Sequence, residues 1–157
     1  MISGSPVTLA VGDAAPDFTL PDTHGTPVRL SGLRGAPVLV VFVPFAFSGT
    51  CTDELCEIRD NIDEFESAGV ELVVISCDAL YSLKAWAGQE GYSFDLLSDF
   101  WPHGDVARAY GVFDDERGLA NRGSFLVDAE GIVRWAVVNG PGQRRDFDGY
   151  RAALAAL

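Results

Sequence analysis

The chain has 157 residues, 48% of them hydrophobic, and a formal net charge of −12. That length allows one domain with a substantial core and is too short for two comfortable ones. The acidity argues against nucleic acid and anionic membranes as partners, because both need a positive surface that ten Arg and one Lys, scattered along the chain, do not supply.

Residues 1–6 read as a loose tail of a single domain spanning residues 1–157. The opening MISGSPVTLAVGD has neither a basic leader nor a long apolar segment, and no window reaches the roughly eighteen apolar residues of a membrane span, so a cytoplasmic protein is expected. In GDAAPDFTLPDTHGTPVRLSGLRG, FTL and VRL are set apart by Gly and Pro and predict a short N-terminal hairpin. VLVVFV (38–43) and VELVVIS (70–76) read as strands buried on both faces. A helix from about 50 to 66 joins them into a right-handed βαβ unit with a parallel sheet. Residues 79–90 predict another helix, FDLL a short strand and GDVARAYG a short helix. SFLVD and IVRWAVV, joined by AEG, predict a second hairpin, and residues 146–157 an Ala- and Leu-rich closing helix. The fold class is α/β, with a central mixed β-sheet flanked by helices.

Three cysteines are too few, and odd in number, for a disulfide scaffold; paired cysteines in a reducing compartment point to redox chemistry or metal. On the helix from about 50 to 66, Cys51, Leu55, Ile58, Ile62 and Phe65 share one apolar stripe, which must face the sheet. Cys56 falls about 140° round from Cys51, among Thr52, Asp60 and Asp63, on the wet face. A thiol there needs a reason, whereas one in an apolar stripe does not. With Ser48 or Thr50 as N-cap, Cys51 lies in the first turn, where unpaired N–H groups and the helix dipole favour a thiolate. The competing reading is that Cys51 merely fills the first core position.

Pro44-Phe45-Ala46-Phe47-Ser48-Gly49-Thr50-Cys51 resembles the peroxiredoxin active-site signature, Pro-x-x-x-Thr/Ser-x-x-Cys, and Glu54 matches the acidic or amide residue often found three positions on. GDAAPDFTLPDTHG, LLSD with VARAYGV, and NRGSFLVDAEGIVR are similar to other parts of that family, so the resemblance spans nearly the whole chain and implies a thioredoxin-like fold. Of the subfamilies, the alkyl hydroperoxide reductase E type is the one that the chain most resembles, chiefly through SDFWPHGDVARAYGVF and ANRGSF. Its best-known pattern has one catalytic cysteine, however, whereas Cys56 stands where bacterioferritin-comigratory (Q-type) peroxiredoxins carry a resolving one.

The resemblance implies a thiol peroxidase that needs no cofactor. Cys51 would be the peroxidatic nucleophile. Ser48 would hydrogen-bond the peroxide, with the backbone N–H groups of Thr50 and Cys51 assisting, and Pro44 would wall the pocket. Arg122 would support the thiolate and polarise the peroxide; without the family match it would read as an ordinary strand arginine. Glu54 would either orient Arg122 or serve as a dipole-favoured acid. The sulfenic acid on Cys51 would condense with Cys56. Helical residues five apart have Cα atoms roughly 8.5 Å apart, beyond the roughly 7 Å limit for a disulfide, so the first turns would have to unravel.

Cys77 reads as a buried strand-end thiol, with resolution as its alternative role. His103 reads as a loop residue near a helix start. Trp101, with Phe45, Phe47 and Phe100, would line the active-site mouth, a dimer surface or ordinary core. No metal site is expected, because C-x4-C with His24, His103 and Cys77 matches no common zinc spacing. The expected partners are a peroxide, a reductant (thioredoxin, a mycoredoxin-type protein or a low-molecular-weight thiol) and a second copy of the chain. Two other functions compete: a thiol-disulfide oxidoreductase, which would ordinarily show C-x-x-C, and a non-catalytic interaction module, which needs no activated thiol.

Overall fold

The computed structural model describes residues 9–140 and 143–157. The tail expected at residues 1–6 lies outside them. Strands β1 (Thr19–Pro21) and β2 (Pro27–Arg29) form the expected antiparallel hairpin. Its turn is closed by Asp22, whose Oδ1 accepts the N–H groups of His24 and Thr26 at 2.8 and 3.0 Å.

The main sheet comprises β3 (Val38–Phe42), β4 (Glu71–Ser76), β5 (Asp95–Ser98), β8 (Arg122–Val127) and β9 (Val133–Asn139), in the order β5-β4-β3-β8-β9. β3, β4 and β5 run parallel, while β8 pairs antiparallel with β3 and β9 with β8, which makes the sheet mixed. Parallel strands need covered faces, and β3 shows how this chain covers them. Leu39, Val41 and Val43 enter one apolar cluster with Leu55, Leu83, Trp86, Phe147 and Tyr150. Val38, Val40 and Phe42 enter the other, with Phe18, Leu30, Val106 and Tyr110.

Helices α1 (Gly49–Asp60), α2 (Ile62–Ser67), α3 (Leu80–Glu90) and α5 (Phe147–Ala155) contribute to the first cluster, and α4 (Asp105–Ala109) to the second. The single helix expected over 50–66 is therefore two. Asn61, at φ −121° and ψ 24°, breaks it, and its side-chain amide donates to the Glu57 carbonyl at 2.8 Å. The hydrophobic period survives the break, with Phe65 fully buried and Ile62 packed beside it. A two-stranded pair, β6 (Phe113–Asp114) with β7 (Leu119–Ala120), and a 3₁₀ turn at Leu30–Leu33 were not apparent in the sequence pattern.

Candidate active site

At the end of β3, the Val43 N–H reaches the Ile75 carbonyl of β4 at 3.0 Å, and Pro44, buried and without an N–H, ends the ladder. The loop that follows is fastened to the tip of β4. Asp78 Oδ2 accepts the Ala46 N–H and the Ser76 hydroxyl, each at 2.8 Å. Phe47 adopts φ +67°, the one non-glycine residue with positive φ among the described residues. Ser48 is the N-cap of α1: its Oγ accepts the Cys51 N–H at 3.2 Å, and its carbonyl accepts the Thr52 N–H at 2.9 Å. Cys51, the third residue of the helix, is a free thiol with 0% exposure.

One turn further, Glu54 is buried among arginines. Arg122 Nη1 donates to Oε1. From Arg145, Nη2 donates to Oε1 at 3.0 Å, and Nε and the backbone N–H donate to Oε2 at 3.1 and 2.6 Å. Burial alone would push the Glu54 carboxyl up. The hydrogen bonds and charge of Arg145, joined by Arg122, outweigh it and hold the group below its ordinary value. Arg145 Nη1 also donates to the Phe42 and Gly123 carbonyls, at 2.9 Å each, and to Ser124 Oγ at 3.0 Å. Burial opposes the charge on Arg145, but interactions with Tyr150, Glu54 and Cys51 favour it and raise the guanidinium above its usual value. A buried thiol in the first turn of α1 thus lies one turn from a carboxylate shared by two buried arginines.

Residues 11–136 match the model of the AhpC/TSA family. The chain belongs to that family. It is 51% identical to the alkyl hydroperoxide reductase E of Mycobacterium tuberculosis over 95% of this chain and 98% of the relative. It is 40% identical to peroxiredoxin Bcp of Escherichia coli over 80% of this chain and 83% of that one. Among solved structures, the peroxidoxin BcpB of Mycobacterium tuberculosis superposes with a TM-score of 0.84 at 33% identity, covering 95% of this chain and 98% of that chain. The fold is thioredoxin-like and the protein is a peroxiredoxin, a thiol-dependent peroxidase.

The remaining expected residues of this peroxiredoxin are placed less uniformly. Thr50 is half-buried in the first turn. The Cys51 N–H, expected to assist with peroxide, is instead engaged by Ser48 Oγ. Cys56 is not on a wet face. Asp60 and Asp63 of its stripe are exposed, but Thr52 and Cys56 meet α3 and Tyr92, leaving Cys56 partly buried with Sγ 3.5 Å from Glu90 Oε1 and 3.8 Å from the Tyr92 hydroxyl. Burial, chiefly, pushes the Cys56 thiol up, and Glu90 adds to this against Tyr92 and Arg59. Cys77 is buried, and its thiol is pushed up to about 12 by burial and by Asp99 and Asp78.

Trp101 stands 82% exposed beyond β5, with Phe100, Phe45 and Phe47 about half exposed, so none is ordinary core. Phe47 tilts against Trp86 of α3 at 6.2 Å between ring centroids. His103 lies in the loop before α4, its ring nitrogens 3.1 and 2.7 Å from the Phe100 and Gly118 carbonyls. No group of three or more His, Cys, Asp or Glu suited to a metal occurs among the described residues, and no helix among them is long and apolar enough to cross a membrane. Arg145 and Asp78 escaped the sequence reading. Arg145 is one of ten arginines, and only the folding of the chain end back onto α1 gives it its place.

Proposed function

We propose that Cys51 is the peroxidatic cysteine of this thiol-dependent peroxidase and Cys56 its resolving cysteine. The observation that carries this reading is the set of groups around one sulfur: the buried Cys51 in the first turn of α1, Ser48 on its N–H, and the Glu54–Arg122–Arg145 cluster one turn along. The Cys51 thiolate attacks one oxygen of the peroxide in line. An S–O bond forms, the O–O bond breaks, and the departing hydroxide or alkoxide takes a proton. Ser48 Oγ accepts from the helix and still has its own proton to donate to the peroxide, beside the first-turn N–H of Thr50. Pro44 shapes the entrance. Arg122 and Arg145 supply fixed positive charge, and Glu54 holds both guanidinium groups in place.

The Cys51 sulfenic acid then condenses with Cys56 after the first turns of α1 unwind, and an external thiol (thioredoxin, a mycoredoxin-type protein or a low-molecular-weight thiol) reduces the disulfide. The protein acts in the cytoplasm as a homodimer, one domain per chain, with Trp101 and its neighbouring phenylalanines beside the site or at the contact between copies. One observation favours a cycle without internal resolution: both cysteines lie in an intact helix, where five residues separate their Cα atoms by roughly 8.5 Å.

Counting thiols after one equivalent of peroxide decides between them. The two-cysteine cycle loses two thiols in wild type, none rapidly in Cys51→Ser, and one in Cys56→Ser. Loss of a single thiol in wild type, at Cys51, establishes the one-cysteine cycle, and rapid oxidation of Cys51→Ser refutes both.

A further inference from the structure

The surroundings of Cys56 contain more than a resolving thiol requires for storage. Its Sγ lies 3.5 Å from Glu90 Oε1, a hydrogen-bond distance for the large sulfur atom, with the thiol as donor and the carboxylate as acceptor. On the other side the Tyr92 hydroxyl is 3.8 Å away. That hydroxyl has one proton and points it at the Thr52 carbonyl, 3.4 Å distant, within the helical turn that carries Cys51. The Trp86 indole N–H holds the same residue through Thr52 Oγ1 at 3.2 Å. Glu90 is itself anchored, because Arg59 Nη1 donates to its backbone carbonyl at 2.5 Å. The charged or titratable groups facing Cys56 are thus Arg59 on its own helix, Glu90 at the end of α3 and Tyr92 just beyond it.

We infer that Glu90 is the general base of the resolution step and that Tyr92 stabilises the thiolate it produces, once the turn of Cys51 has opened. The inference rests on Cys56 being the resolving cysteine. In the closed protein the Cys56 thiol keeps its proton, since burial and Glu90 both favour the neutral form, and Tyr92 is committed to Thr52. Unwinding of the turn at residues 51 and 52 withdraws the Thr52 carbonyl and releases the Tyr92 hydroxyl to turn toward sulfur. Glu90 takes the thiol proton as Cys56 Sγ attacks the sulfenic sulfur of Cys51. The S–S bond forms, the S–O bond breaks, and the departing hydroxide is protonated from Glu90 and leaves as water. The same movement that presents Cys51 therefore activates its partner, and Cys56 is not ionised beforehand.

The test is rapid quench of the oxidised full chain by acid and alkylation, with closure of the Cys51–Cys56 disulfide followed by mass spectrometry across pH. Glu90→Gln keeps an acceptor of the same shape and is expected to slow closure on the order of a hundredfold. It should also change the profile: nearly level in wild type from about pH 6 to about pH 8, but rising about tenfold per pH unit in the variant, where solvent must ionise the thiol. Tyr92→Phe keeps the ring stacked on Phe94 and is expected to slow closure several-fold with the level profile retained. Glu90→Gln closing at the wild-type rate with a level profile overturns the base, even with the disulfide formed. A slower closure with an unchanged profile assigns Glu90 a structural role only and overturns it equally. Wild type that never forms the Cys51–Cys56 disulfide refutes the underlying two-cysteine reading, and this inference falls with it.

Discussion

Glu54 is a carboxylate that burial alone would neutralise, and it stays ionised because Arg145 donates three hydrogen bonds to it and Arg122 another. Its folded-state value lies below the ordinary 4.5, so its contribution to stability is present above 4.5 and lost as pH falls through the lower value. Urea midpoints taken from neutral to acidic pH should therefore decline for wild type and decline less steeply for Glu54→Gln. Arg145→Met leaves a buried carboxylate short of its main partner and should cost about 3–5 kcal/mol in urea unfolding; a loss below about 1 kcal/mol would remove Arg145 from this account. Cys77 shows the opposite sign. Its thiol is pushed up to about 12, so the stability it contributes is complete below the ordinary 9.0 and lost as pH climbs toward 12, and Cys77→Ala should flatten that alkaline decline. At this scale the places of Cys51, Ser48 and Glu54 were legible because they are local, three and six residues apart at a helix start. Arg145 was not: it meets Glu54 across 91 residues of sequence, and its surroundings exist only after folding.

Helix α1 begins where Ser48 caps it, and the capping oxygen belongs to the hydroxyl assigned to peroxide. Ser48→Ala should cost about 1 kcal/mol in urea unfolding and also slow peroxide consumption in stopped flow, whereas Ser48→Thr should preserve both. A variant that loses stability but keeps its rate would separate the cap from the chemistry. The wheel that set Cys51 inward and Cys56 away from it was correct in angle, since angle follows from sequence alone. What covers the outer face does not. Trp86, Glu90 and Tyr92 reach α1 from 34 to 40 residues away and turn an apparently wet stripe into a half-buried one. The break at Asn61 was hidden for a related reason: Ile62 and Phe65 keep the helical period, and only the Asn61 amide bonded to the Glu57 carbonyl ends the turn.

The sheet of the whole molecule was legible because VLVVFV and VELVVIS have no polar face, and strands of that kind lie in the middle of an α/β fold. The pairing of β8 against β3 rather than at an edge is seen only in the structure, since the periodicity of neither strand carries it. Distant parts meet closely. Gly104, at φ +72° before α4, faces the Phe113 ring of β6 so closely that a Cβ would lie 2.1 Å from Cε1. Gly104→Ala should lower stability by at least about 2 kcal/mol in thermal or urea unfolding, combining left-handed backbone strain with overpacking. Finally, the complete enclosure of Cys51 sets a timetable. A sulfur with no exposed surface cannot touch a protein-sized partner until the helix around it opens, so in the proposed cycle any protein donor acts only after that opening.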